Sequence, residues 1–190
     1  FVDCTGLSSL LLGKHYDVPF ISQQNILFND SALAIQIPYA EGADAIASHT
    51  LSTAQTNGWI WDIGLQSRRG IGHVFSSRYT TDELAERELR NYIAPSVGEK
   101  MAQELPVRKI AFNPGHRKTF WHKNCVAIGL AAGFIEPLEA TALVLIELSA
   151  KMIAEQFPAN RRTMDIVAKR FNATLRHHWG QIIDFLKLHY

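Results

Sequence analysis

The stretch Gly129-Leu130-Ala131-Ala132-Gly133-Phe134-Ile135-Glu136-Pro137-Leu138-Glu139-Ala140-Thr141-Ala142 joins a compact apolar segment to a strongly helix-forming run that starts at about Glu139. Small residues at 129, 131, 132 and 133 let a ligand approach the backbone closely. A helix beginning here offers unpaired N–H groups and the positive end of its dipole. That pairing suits an anion, a phosphate or the electron-rich edge of a flavin ring. Packing alone would select the same small residues, so the stretch by itself leaves both readings open. Two carboxylates, Glu136 and Glu139, stand on either side of Pro137. At a helix start a glutamate more often complements the dipole than catalyses.

A second group is aromatic. Trp59 and Trp61 are two apart, so on a strand they face the same side. Stacked indoles would make a wide apolar wall, but the spacing alone favours ordinary core packing. Gly58 and Gly64 bracket this strand and permit close approach or bulging. The remaining candidates point to little. His177 and His178 are adjacent, so a helix cannot aim both at one metal, and no HExxH or Cys–His cluster accompanies them. No metal site is expected. There is no Gly-x-Ser-x-Gly elbow, Walker loop or GxGxxG fingerprint. Arg68-Arg69, Arg108-Lys109, Arg117-Lys118 and Arg161-Arg162 are scattered pairs that read as solvated faces or phosphate contacts.

The elements that must position these residues follow from periodicity. Phe1 to Asp3 reads as a short buried strand entering a Thr-Gly turn, and Leu7 to Leu12 as the start of a short helix. Residues 25–38 alternate, with Leu33, Ile35 and Ile37 on one side and Ala32, Ala34 and Gln36 on the other. Residues 48–56, 58–65 and 72–79 are further strands, with a hairpin turn at Ser67-Arg68-Arg69-Gly70, so 25–79 is expected as an antiparallel sheet. Thr80 and Glu83 fit a capping box for a helix with Ala85, Leu89, Tyr92 and Ile93 on one face and Pro95 as its end. Val107 to Phe112 and Cys125 to Gly129 are strands. A helix runs from about Glu139 to Pro158. Met164, Val167, Phe171, Leu175, Trp179, Ile182 and Leu186 then predict one long amphipathic helix, or two with a break near Gly180. The order predicts a mixed α/β (α+β) fold with an antiparallel sheet and C-terminal helices.

Composition sets the outer limits. The chain has 190 residues, about one domain, and a net charge of +1, which disfavours a dedicated nucleic-acid binder. Its 47% hydrophobic content is that of a globular chain. No apolar run reaches the roughly 18 residues of a membrane span. Cys4 and Cys125 form no CxxC pair and read as reduced thiols in a cytoplasmic protein. The chain opens in a strand and stops in a helical pattern, which predicts a segment of a longer protein.

With these residues placed, the chain resembles the flavin-dependent tryptophan halogenase family over essentially its whole length. Gly58-Trp59-Ile60-Trp61-Asp62-Ile63-Gly64 is similar to the family's Trp-x-Trp-x-Ile-Pro signature, so Trp59, Trp61 and Ile63 stand at its motif positions. Gly72-His73-Val74-Phe75-Ser76-Ser77-Arg78 resembles the following strand. Asn124 through Thr141 is the most specific match, and Phe1-Val2-Asp3-Cys4-Thr5-Gly6 resembles the strand and turn lining the flavin site. The resemblance implies part of an FAD-dependent aromatic-hydroxylase-like fold with an added helical part. Residues 1–20 and 107–157 would form the flavin-site part, 21–106 an antiparallel sheet plus helix, and 158–190 a helical part.

The implied enzyme is a flavoprotein oxidoreductase. It uses reduced FAD from a flavin reductase, O2 and chloride or bromide to make hypohalous acid, which reaches a lysine beside tryptophan or another aromatic substrate. By the same resemblance Asp3, Gly6, Gly129, Gly133, Phe134, Pro137 and Leu138 bind the cofactor. Thr141 and Ala142 hold the halide, and Glu139 assists halogenation as the catalytic residue. Trp59 and Trp61 disfavour direct flavin attack on substrate. The implied partners are a transient reductase and a small aromatic molecule, with a homodimer left open and neither nucleic acid nor membrane involved.

Three positions depart from the pattern: Gly64 replaces the motif proline, and Ala140 and Ala142 replace a serine and a glycine. The family's GxGxxG loop and catalytic lysine would lie upstream of Phe1, so this segment alone would be inactive. A flavin monooxygenase on the same scaffold, for which Gly64 speaks, and a non-catalytic flavin-binding module are the alternatives.

Overall fold

A computed structural model describes residues 1–39 and 46–190; residues 40–45, within the stretch expected as sheet, lie outside the described residues. The chain divides into two units, residues 1–27 with 113–190, and residues 28–112. The first unit opens with β1 (Val2–Asp3), a 3-10 turn at Gly6–Ser8, a π-helical turn at Leu10–His15 and β2 (Phe20–Ser22). The opening strand is less buried than its apolar residues predict. Phe1 and Val2 are exposed and Asp3 is fully buried, because β1 hydrogen-bonds on one side, to a later strand of the same unit.

The second unit carries a five-stranded antiparallel sheet. Its strands are β3 (Ser31–Pro38), β4 (Leu51–Gln55), β5 (Gly58–Gly64), β6 (Arg68–Phe75) and, after helices α1 (Asp82–Val97) and α2 (Glu99–Glu104), β7 (Arg108–Ala111). The spatial order is β4-β5-β6-β3-β7. Alternation along β3 does what the sequence predicts: Leu33, Ile35 and Ile37 join Ile60, Ile71 and Phe75 against Ala85, Leu89 and Ile93 of α1. The strand expected at 107–112 thus belongs to this sheet.

Three local readings shift. The hairpin turn lies at 65–68, where the Leu65 N–H donates to the Arg68 carbonyl at 2.9 Å, and Arg69 and Gly70 are already paired with Gly64 and Ile63. The cap of α1 is Thr81, whose hydroxyl accepts from the Leu84 N–H at 3.3 Å; Thr80 is buried. The helix runs through Pro95 to Val97. Proline removes one amide near the end, and the chain turns only where Gly98 adopts φ 83°.

Back in the first unit follow β8 (Gly115–Arg117), β9 (Trp121–His122), β10 (Cys125–Ala127), β11 (Gly133–Phe134), α3 (Thr141–Glu155) and α4 (Arg161–Lys187). They build two small sheets, β1-β10-β9 with β1 and β10 parallel, and β11-β8-β2, all antiparallel. Asn160 caps α4 through the Thr163 N–H at 3.1 Å. The helix passes Gly180 without a break. Its buried stripe is Phe171, Leu175, Trp179, Ile183 and Leu186, so Ile183 replaces the expected Ile182. Asn172 fixes α4 beside β9. Its Oδ1 accepts from the Phe120 and Trp121 amides at 2.9 and 2.8 Å, and its Nδ2 donates to the Trp121 carbonyl at 2.8 Å. Cys4 is exposed, Cys125 is buried, and neither is bridged. Among the described residues no helix is long and apolar enough to cross a membrane.

Candidate functional site

The parallel pair β1 and β10 is the base of the site. Asp3 and Ala127 stand in register at its carboxyl end. Each strand then enters a 3-10 turn led by a glycine at positive φ, Gly6 at 68° and Gly129 at 65°. The two turns touch: the Ser9 hydroxyl donates to the Ala131 carbonyl at 3.0 Å. A Cβ built on Gly6 would meet nothing within 4 Å, and one on Gly129 only the tip of Ile146 at 3.7 Å. Open backbone beyond the carboxyl ends of adjacent parallel strands is where nucleotide-like ligands lie in open α/β sheets. The turns at Gly6 and Gly129, far apart in sequence, therefore fit a flavin.

Asp3 works behind this surface. Its carboxylate accepts from the Thr5 N–H at 3.1 Å, the Thr5 hydroxyl at 2.6 Å, the Leu11 N–H at 3.0 Å and the Leu12 N–H at 2.7 Å. Burial pushes the carboxyl up, and the Thr5 hydroxyl with the Leu12, Thr5 and Leu11 amides outweighs it, so the group titrates below the usual carboxylate range. Its oxygens hold the π-helical turn. The buried Cys125 thiol is pushed up, by burial first and by the Asp3 charge second.

Gly133 packs closely against β8. A Cβ there would lie 2.6 Å from the Gly115 carbonyl oxygen and 2.7 Å from the His116 Cα. A close neighbour that demands glycine here is therefore β8. Ala131 and Ala132 are buried as well. Phe134 is half-buried in β11, Pro137 is exposed and Leu138 is buried.

The turn into α3 is strained. Glu139 and Ala140 both take left-handed backbone angles, φ 58° and 53°. For non-glycine residues this costs about 1–2 kcal/mol each. Helix α3 consequently starts at Thr141, two residues later than its composition suggests. Its N-cap, Ala140, supplies no capping side chain. The amides of the first turn have no acceptor within the helix. The Thr141 hydroxyl is buried without a hydrogen-bond partner. Ala142 faces a cavity of about 30 Å3 together with Gly129, Ala132, Gly133, Leu145 and Trp179. An orphaned buried hydroxyl beside uncapped amides at the positive end of a helix fits a small anion. Glu139 is exposed, so its carboxylate is free to reach outward.

Near the cavity, His116 packs its ring 5.6 Å from Phe120 and 5.1 Å from Trp179. Burial lowers its pKa, against the Arg117 carbonyl that its Nδ1 meets at 2.9 Å. Glu136 is 1% exposed and its Oε2 accepts from the Tyr190 hydroxyl at 2.6 Å. Sequence reasoning saw Glu136 as a dipole partner and missed Tyr190. A contact across 54 residues leaves no local signal.

Trp59, Trp61 and Ile63 lie in the other unit, on the face of β5 opposite α1. The indoles do share a side, but they meet edge to face, with centroids 6.3 Å apart and planes at 62°, instead of stacking. Trp61 lies across Gly72, where a Cβ would come 2.1 Å from its Cζ2. Trp59 is buried, Trp61 half-buried and Ile63 exposed. Between Trp61 and Ile63, Asp62 points to the other face of β5, where it pairs with Arg69 of β6 and accepts from the Tyr92 hydroxyl of α1 at 3.2 Å. The hydrogen bonds that the Arg69 guanidinium donates to Asp62 raise the Arg69 pKa further. No group of three or more His, Cys, Asp or Glu that could hold a metal occurs among the described residues.

Comparison with known proteins agrees with this geometry. The tryptophan halogenase family model matches residues 1–190. The chain is 39% identical to the 7-chloro-L-tryptophan 6-halogenase KtzR of Kutzneria, covering all of this chain and 36% of that protein. It is 38% identical to the tryptophan 6-halogenase SttH of Streptomyces toxytricini, covering 35% of it. A crystal structure of tryptophan halogenase from Shewanella frigidimarina superposes with a TM-score of 0.95 at 57% identity, over all of this chain and 36% of that one. The chain thus spans about a third of the length of the relatives it matches.

Proposed function

This chain belongs to the tryptophan halogenase family, and on that premise we propose that the protein containing it halogenates tryptophan or another indole or aromatic substrate. The observation that carries the reading is the start of α3: two left-handed residues, an uncapped helix end and the orphaned Thr141 hydroxyl. Bound reduced FAD supplies the activation of O2 that oxidises chloride or bromide to hypohalous acid. The turns at Gly6 and Gly129 would hold the flavin edge, with Asp3 and Gly133 shaping them from behind and Phe134, Pro137 and Leu138 carrying the chain past it. Thr141 and Ala142 would hold the halide through the hydroxyl and the free amides. The replacement of glycine by Ala142 keeps the N–H that this binding uses. Glu139 would hold a proton acceptor outward, where an aromatic substrate losing a ring proton to halogenation needs one.

The reductant would come from a separate flavin reductase in the cytoplasm, and the segment alone would be inactive. The test is the full-length protein supplied with a flavin reductase, FAD, O2, tryptophan or indole, and chloride or bromide. The product should carry one halogen, with the mass shift following the halide used. Thr141→Val, which keeps the shape and drops the hydroxyl, should raise the halide KM about tenfold. Hydroxylated product with no halogenated one would move the assignment to a flavin monooxygenase.

A further inference from the structure

A pair of adjacent left-handed residues without glycine persists only where its surroundings hold it from both sides. On the far side of Glu139 and Ala140 stands α3. On the near side the chain passes from Glu136, buried at 1% exposure, into Pro137 and the buried Leu138. Glu136 is tied down from a distant point: the Tyr190 hydroxyl donates to its Oε2 at 2.6 Å. Tyr190 stands just beyond α4, its N–H on the Lys187 carbonyl at 3.3 Å, one turn after the fully buried Leu186. The same helix is clamped to β9 by Asn172. An unbroken rigid path therefore joins the core of the unit, along α4 and through one charge-assisted hydrogen bond, to the residue that opens the strained turn.

We infer that Tyr190 is a positioning residue. Through the Glu136 carboxylate it holds the 137–141 turn in its left-handed path, and so sets where Thr141 and Ala142 present their donors and where Glu139 points. This rests on the reading of 139–142 as the halide and catalytic turn. Neither side chain needs to touch substrate, halide or cofactor for the effect.

The test uses the full-length protein with Tyr190→Phe, which keeps the ring and removes one hydroxyl. Hydrogen exchange of the Ala140 amide, which donates to the Pro137 carbonyl at 3.1 Å, should quicken about tenfold, while the amides of 145–153 in α3 keep their protection. The apparent KM for chloride or bromide should rise by a similar factor and that for the aromatic substrate should stay the same. Glu136→Gln, which keeps an acceptor for the hydroxyl without the charge, should give an intermediate effect of about threefold on both readouts. Unchanged exchange of the Ala140 amide overturns the inference. So does exchange that quickens evenly through the unit with a lowered Tm and an unaltered halide KM, since that is plain loss of stability. If the wild-type protein makes no halogenated product, the proposed function falls, while the exchange experiment still decides whether Tyr190 holds the turn.

Discussion

Asp3→Asn isolates how the turn after β1 is built. The wild-type carboxylate is fully buried and answers four donors, two on each oxygen. An amide side chain has one acceptor oxygen and one NH2. The least costly arrangement keeps the oxygen on the Leu11 and Leu12 amides and turns the NH2 toward Thr5, whose hydroxyl can rotate to accept. The Thr5 N–H is then left facing another donor, and the remaining bonds lose their charge assistance. A hydrogen bond to a charged group contributes about 1.5–3 kcal/mol, so the substitution should cost about 3 kcal/mol. The pH dependence has a definite sign. The native carboxyl titrates below its unfolded value, so its contribution is present above the unfolded pKa of about 3.9 and disappears as pH falls through the lower native value. Denaturant unfolding of the full-length protein between pH 2 and 7, followed by exchange of the Leu11 and Leu12 amides, reads both effects. The wild type should lose stability below about pH 4 along a limb that Asp3→Asn lacks. A cost under about 1 kcal/mol, or the same acid limb in both proteins, refutes the account of Asp3 as the organiser of this turn.

Three further outcomes follow from named contacts. His116 has a pKa lowered by burial, so the unfolded chain binds its proton more readily; stability should fall as pH drops below about 6.5, and His116→Phe should remove that component from an unfolding pH profile. Gly133→Ala drives a methyl into the Gly115 carbonyl and the His116 backbone, and should destabilise the protein by about 1–3 kcal/mol in denaturant melts, with halide and flavin binding weakened as β11 moves off β8. Asn172→Leu leaves the Phe120 and Trp121 amides and the Trp121 carbonyl without their bracket; about 3 kcal/mol should be lost, and exchange in α4 should rise ahead of exchange in the β3–β6 sheet.

The sheet of the second unit was legible because its period-two pattern is undiluted: Leu33, Ile35 and Ile37 face α1 as the alternation requires. The long final helix was legible for the matching reason, with the register off by one only at Ile183. Errors gathered at ends. Thr80 and Thr81 are chemically equal candidates for one cap, and only the buried position of Thr80 decides between them. The hairpin at 65–68 contains no Asn-Gly or Asp-Gly pair to fix its frame. At the candidate site the motif residues were legible but their division of labour was not. Asp3, Gly133 and Glu136 answer to partners 8 to 54 positions away or on another strand, and composition carries no trace of such pairings.

The departures at 140 and 142 bear on the proposed anion site less than their chemistry suggests. A serine caps a helix from an extended backbone, with its hydroxyl accepting from the second or third helical amide. Residue 140 is left-handed, φ 53° and ψ 22°, so a hydroxyl there would start from the wrong side of that geometry. The first amides of α3 are therefore kept for an outside partner by the backbone, whichever small residue occupies 140. At 142 the added methyl faces the cavity beside Gly129 and Gly133, and takes room from the ligand without removing a donor. The strained turn thus makes the donors available and the side chain at 142 sets the space before them, so differences in halide size should register at 142 and differences in halide affinity at the supports of the turn.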